Sequence, residues 1–159
     1  MKFLNLLILL FISKSILALE LSCIFEEVHL NGDTEQGLFL VKDEKFRYQY
    51  FSKNLFTVFH KGNSFFYVEN RDKDKFFRIN QNTQILSALK EIISEFPQIK
   101  NEYSFGDTYV KVELSKSKFL KRVIVLSEQL KLSVYLNDCK EVPIKDIYFF
   151  WSPFWDYNY

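Results

Sequence analysis

Residues 37–51, GLFLVKDEKFRYQYF, hold an unbroken apolar run at 38–41 and an aromatic-rich run at 45–51, separated by Lys42, Asp43 and Glu44. Two strands joined by a polar turn is the plain reading. Neighbouring side chains on a strand point to opposite faces, so the unbroken run has two explanations. Either the hairpin is covered on both sides, or one face is covered while the other is apolar, partly open and able to hold a lipid chain. Before this hairpin, residues 21–30 read as a first strand and Asn31-Gly32-Asp33 as its turn. After it, strands at 55–60 and 64–69 flank Lys61-Gly62-Asn63, where Gly62 supplies the positive φ that a tight hairpin needs. The polar turn 71–75 leads to a strand at 75–80, and six strands in succession imply an antiparallel meander.

The period then changes. Over 84–96 the apolar residues Ile85, Leu86, Leu89, Ile92, Ile93 and Phe96 fall on one side of a helix, with Lys90, Glu91, Ser94 and Glu95 on the other. Asn82 or Thr83 can cap its start and Pro97 stops it. Each buried side chain of that stripe contributes about 1.5–3 kcal/mol, so the helix must lie on the sheet, as a plain cover of the core or as a lid over an apolar cavity. Strands return at 103–105 and 108–114 around Gly106-Asp107, then at 119–127 and 130–137. Val110, Val112 and Leu114 alternate with Tyr109, Lys111 and Glu113, the pattern of a half-buried strand. The fold class expected is mainly β, with about ten strands and one convincing helix. The tail 147–159 crowds Phe149, Phe150, Trp151, Phe154 and Trp155 around Pro153. It is expected to pack across an edge of the sheet; left exposed, it would mark a membrane or protein contact.

Composition narrows the function classes. The 159 residues suit one domain, and 18 Phe and 9 Tyr against 4 Gly and 3 Pro favour strands and bulky packing. A net charge of +1, from 21 basic and 20 acidic residues, removes any general electrostatic case for nucleic acid. Residues 1–18 read as a cleaved signal peptide: Lys2, an apolar run over 3–12, then Ser13, Lys14, Ser15 and the small Ala18. The apolar run is too short for the roughly 20 residues of a membrane span, so a retained anchor is the weaker reading. The expected domain is therefore 19–159, an exported chain.

Export changes how the cysteines read, because an oxidising compartment favours a single disulfide between Cys23 and Cys139. Two buried thiols, or acylation of Cys23, are the alternatives; Glu20 and the distance of Cys23 from the apolar run oppose acylation. Catalytic signals are lacking. His29 and His60 sit in separate strands with no cysteine at ligand spacing, so no metal site is expected. No G-x-S-x-G elbow, phosphate-cradling glycine loop or H-E-x-x-H helix occurs. Glu26 and Glu27 are adjacent on a strand and point to opposite faces. The expectation is a non-enzyme without cofactor.

At this point the residues resemble a family, the LolA-like periplasmic carriers of outer-membrane lipoproteins, with the related acceptor LolB. Gly37, the strand 38–42, and Lys45-Phe46-Arg47-Tyr48-Gln49-Tyr50 are similar to the family's glycine, apolar strand and Lys-Phe-Arg-aromatic-x-Tyr motif. The run 55–60, Gly62 and the aromatics 65–67 follow its next two strands; 132–137, Val142-Pro143-Ile144 and Phe149-Phe150 before Pro153 follow its closing ones. The resemblance implies an unclosed antiparallel β-barrel, a half-barrel whose concave apolar face is covered by an amphipathic helix lid and holds acyl chains. It implies a monomeric carrier of lipoprotein acyl chains or other lipid, working between an inner-membrane transporter and an outer-membrane acceptor. Two departures stand out: Asp43-Glu44 replaces the family's Arg-Pro turn, leaving Lys42 as the one substitute for its lid-latching arginine, and no helix precedes the first strand. The expected lipid-lining residues are Phe39, Phe46, Tyr48 and Tyr50 of the hairpin with Leu86, Leu89, Ile93 and Phe96 of the helix. Phe46, Tyr48 and Tyr50 share one face, inner or outer. The rival reading is a protein-binding or scaffold domain whose aromatics fill the barrel and whose edges and tail do the docking.

Overall fold

The computed structural model describes residues 19–79, 84–116, 119–128 and 130–150, and of residues 84 and 85 the backbone alone. Strands β1 (Glu20–His29), β2 (Thr34–Lys42), β3 (Lys45–Tyr50), β4 (Phe56–Lys61), β5 (Ser64–Glu69) and β6 (Phe76–Ile79) pair in succession as the expected meander. Helix α1 (Gln84–Ser94) then leads to β7 (Glu102–Phe105), β8 (Thr108–Leu114), β9 (Leu120–Leu126) and β10 (Lys131–Glu141). Strand β10 returns to pair antiparallel with β1, giving one sheet in the order β6-β5-β4-β3-β2-β1-β10-β9-β8-β7. The sheet does not close: β6 and β7 are its two edges, and α1 is the connection between them. The protein is an open antiparallel half-barrel with one helix packed into its concave face.

Local chemistry explains the turns. Asp43 at φ 53° and Gly62 at φ 60° occupy the left-handed region that two-residue hairpin turns require. Aspartate tolerates that conformation better than most residues with a Cβ, so the Asp43-Glu44 turn needs no glycine. Helix α1 ends at Ser94 rather than at Phe96, and Glu95 and Phe96 lie in a turn. A residue before proline is driven out of the α region, which stops the helix ahead of Pro97. The proposed caps Asn82 and Thr83 lie outside the described residues.

The apolar run 38–41 divides between two cores. Phe39 and Val41 face the main core with Leu21, Cys23, Phe25, Phe46 and the helix residues Leu86, Ala88, Ile92 and Ile93. Leu38 and Leu40 face the convex side and pack there with Ile24, Ile144, Tyr148 and Phe149. The covering piece is the C-terminal segment, including a 3-10 turn at Asp146–Phe149. The expectation that the tail lies across a sheet edge is thus corrected for its described part: it covers the convex face, because Leu38 and Leu40 would otherwise be exposed. Phe150 is 44% exposed with the Lys61 ammonium 3.3 Å from its ring centroid. Trp151, Phe154 and Trp155 lie outside the described residues.

The first and last strands of the sheet in chain order pair at the β1–β10 seam. Cys23 and Cys139 form the disulfide there, with Cα atoms 4.1 Å apart, so neither is a free thiol. The ladder shifts register between Ser22 and Ile24, and Asp138 at φ 50° absorbs the irregularity opposite. Closing a loop with a sequence separation of 116 removes about 4–5 kcal/mol of chain entropy from the unfolded state on the loop-entropy model. The bond therefore reinforces the one strand pair that joins the β1–β6 half to the β7–β10 half.

Candidate functional site

Between α1 and the concave face lies a cavity of about 580 Å³ with a predominantly apolar wall. Strands β1 to β6 supply one side, β8 to β10 the other, and Leu86, Ala88, Leu89 and Ile92 of α1 the roof. The inner face of the hairpin is the one that carries Phe46, Tyr48 and Tyr50, which answers the parity question left by the sequence.

Of the eight expected lining residues, Phe39, Tyr48, Tyr50, Leu86 and Leu89 border this cavity. The other three face the same core elsewhere. Phe46 is fully buried among Phe39, His60 and Phe65, with ring centroids 6.3, 5.4 and 6.0 Å away. Ile93 and Phe96 border a much smaller void with Leu19, Leu21 and Val41, and there they seat the C-terminal end of the helix on the sheet.

Gly37 sets the shape of the aromatic wall. It pairs with Phe25 on one side and Tyr50 on the other, and a Cβ here would lie within contact distance of the Gln49 carbonyl oxygen and the Phe25 ring. The missing side chain lets Phe25 lean across β2 and stack on Tyr48, at 3.9 Å between centroids and 15° between planes. Tyr50 meets the Phe25 ring edge-on at 5.3 Å. Gly62 keeps only its turn role.

The cavity has one polar end, which the sequence reading did not anticipate. Glu27 follows Leu21, Cys23 and Phe25 on the inward positions of β1 and is 5% exposed. Its Oε2 accepts hydrogen bonds from the Tyr48 and Tyr50 hydroxyls at 2.7 and 2.8 Å, and its Oε1 lies 3.0 Å from His29 Nε2. A buried carboxylate is costly unless hydrogen-bonded, and these three partners compensate it. Burial first, and then the Glu27 carboxylate, push both phenols well above the ordinary tyrosine value, so both hydroxyls stay protonated donors. Glu26 points the other way and accepts from Gln36 Nε2 at 3.1 Å, so the two glutamates are split as expected. The signal for Glu27 was its strand parity with Cys23 and Phe25. Its partners lie 21 and 23 residues away, and that register cannot be read from one strand.

The basic residues of the family-like motif serve the convex face. Arg47 is 3% exposed and donates from Nη1 to the Tyr148 carbonyl at 2.9 Å and from Nε to Gln49 Oε1 at 2.9 Å. Lys42 donates to the Ile144 carbonyl at 2.8 Å and lies 3.4 Å from Glu20 and 3.5 Å from Asp146. Both clamp the C-terminal segment, so Lys42 is not a latch for α1. Among the described residues no group of three or more His, Cys, Asp or Glu side chains is placed to hold a metal. Comparison with protein-family models gave no match, and comparison with curated proteins gave none either.

Proposed function

We propose that the protein is a LolA-like carrier that holds acyl chains in the cavity beneath α1 and passes them towards the outer membrane. The observation that carries this reading is the cavity of about 580 Å³, inside the range of about 300–1,000 Å³ usual for small-molecule sites. The open half-barrel with a helix across its concave face is the architecture that the resemblance implied, and this supports the same reading. The cargo is the acyl part of a lipoprotein or another lipid. No bond is made or broken, and neither cofactor nor metal is needed. The protein works as a monomer in the periplasm once residues 1–18 are removed, receiving cargo from an inner-membrane transporter and yielding it to an outer-membrane acceptor.

The physical logic of transfer is simple. Burial of apolar chain surface contributes about 25 cal/mol per Å² and has no directionality, so an acceptor that covers more of the chain draws it away without nucleotide at this protein. Native mass spectrometry of the protein purified from a periplasm without detergent tests the reading. The expected result is an adduct with the mass of an acylated lipid or lipopeptide. A bare mass in every preparation, with no displacement of an apolar dye by added lipid, would overturn it.

A further inference from the structure

The polar end of the cavity bears on the cargo's head group, which the acyl-chain reading leaves unassigned. Beyond the level of Phe25 and Phe39, the residues lining the cavity on β1, β2 and their turn are Glu27, His29, Asp33 and Glu35. Glu27 and Glu35 are register partners on adjacent strands, and such partners stand about 4.5–5.5 Å apart at Cβ. Like charges placed directly opposite destabilise a sheet, and a cation between them removes that penalty. Among the described residues that line the cavity there is no lysine or arginine. Lys131 is adjacent to the inward Leu132 and by strand parity belongs to the opposite face.

The Glu27 carboxylate also lines the cavity while its known contacts are all to side chains of the wall. Both phenols bond Oε2 and His29 lies against Oε1. A carboxylate offers about four acceptor sites, so these three contacts leave room for one more donor from the cavity. Tyr48 and Tyr50 fix its orientation, as positioning residues rather than ligands.

We propose that the cavity accepts an acyl chain whose head group is a primary ammonium, held by Glu27 with Glu35 and Asp33 at the rim; the proposal rests on the acyl-carrier reading. An ammonium donates to Glu27 and is attracted by both rim carboxylates. A hydroxyl head gains one hydrogen bond, and an anionic head meets three like charges. The same chemistry occurs on a lipidated N-terminal cysteine with an unacylated amino group and on an aminophospholipid.

The test is displacement of an apolar fluorescent dye from the purified protein by dodecylamine, dodecanol and dodecanoate at neutral pH. Dodecylamine is expected to displace it at a concentration about tenfold below dodecanoate, the size of effect that one charge-assisted hydrogen bond gives. Glu27→Gln should bring the amine and the alcohol together. Glu35→Gln, at the half-exposed rim where folding is not at stake, should narrow the gap between amine and carboxylate. Equal displacement by all three, or a preference for dodecanoate, leaves the acyl site standing and overturns the ammonium head. No displacement by any of them overturns the acyl reading as well. A diacylated lipopeptide with a free N-terminal amine against its N-acetylated form, and phosphatidylethanolamine against phosphatidylglycerol vesicles, separate the two sources. Preference for the amine in either pair supports the proposal, and preference in neither overturns it.

Discussion

Gly37 sits where the fold has no room for a side chain. The obstruction to a side chain includes the backbone carbonyl of Gln49 and not only the movable Phe25 ring, so relaxation would have to shift strand β3 itself. Gly37→Ala is expected to destabilise the protein by about 3 kcal/mol or more, at the upper end of single-residue effects, and to disturb the stacking of Phe25 on Tyr48. A urea midpoint within experimental error of the parent would refute the close approach. Tyr103 provides a second residue-scale consequence. Its hydroxyl donates to Glu95 Oε2 at 2.8 Å and accepts from the Lys100 amide at 3.0 Å. Burial, then the hydrogen bond to Glu95, push the phenol up to about 12, from about 10 in the unfolded chain. A raised folded value means stability that is present below about pH 10 and lost as pH rises through the folded value. Tyr103→Phe is therefore expected to cost about 1–3 kcal/mol at neutral pH, with the difference from the parent shrinking above about pH 10. Urea unfolding of both proteins on either side of that pH checks it, and a difference independent of pH would show that the hydrogen bond is not the source.

At the scale of elements, α1 is a roof held by one apolar stripe, and its two ends do different work. Ile93 and Phe96 grip the sheet around Leu19, Leu21 and Val41, whereas Leu86 and Leu89 face the cavity. Leu89 is partly exposed, so a charge there can be hydrated without unfolding the helix. Leu89→Glu is expected to lower affinity for an acyl probe at least about tenfold while the far-ultraviolet circular dichroism is unchanged, since a carboxylate in an apolar wall loses its hydration on binding. Unchanged affinity would remove α1 from the site. The helix was legible in the sequence because its apolar residues recur at local spacings, and the hairpins were legible because Gly62-Asn63, Gly106-Asp107 and the charged 42–44 triplet mark turns locally. What the sequence hid depends on long-range register. Whether Tyr48 and Tyr50 face inward is decided by which face the C-terminal segment covers, and it takes Leu38 and Leu40, about a hundred residues before Ile144 in the chain. Glu27 was hidden for the same reason, because a glutamate beside Glu26 reads as solvated until Tyr48 and Tyr50 arrive opposite it.

The whole molecule poses one question that neither residues nor elements answer separately, which is why the side chains leave the concavity unfilled. An open sheet whose edge strands β6 and β7 do not pair with each other can tighten around its helix if a full core is favoured. Interiors normally pack to the density of organic crystals, and voids beyond the size of a water are few. A cavity of about 580 Å³ in a chain rich in phenylalanine is therefore a departure that stability alone does not favour. Val125 of β9 tests this directly. It borders the cavity, and its register partners are Val110 and Leu132, so a larger side chain there grows among apolar neighbours. In a filled core, Val125→Phe would overpack and cost about 1–3 kcal/mol. In a core that the side chains do not fill, the ring occupies space and gains contacts. The expected outcome is a urea midpoint equal to or above that of the parent, together with a loss of acyl-probe affinity of about tenfold or more, because ring and chain compete for one volume. Destabilisation with unchanged binding would mean that the interior is already full and that the sheet serves as a docking surface. Stability gained at the expense of binding would identify the volume left by the side chains as the functional feature of the fold.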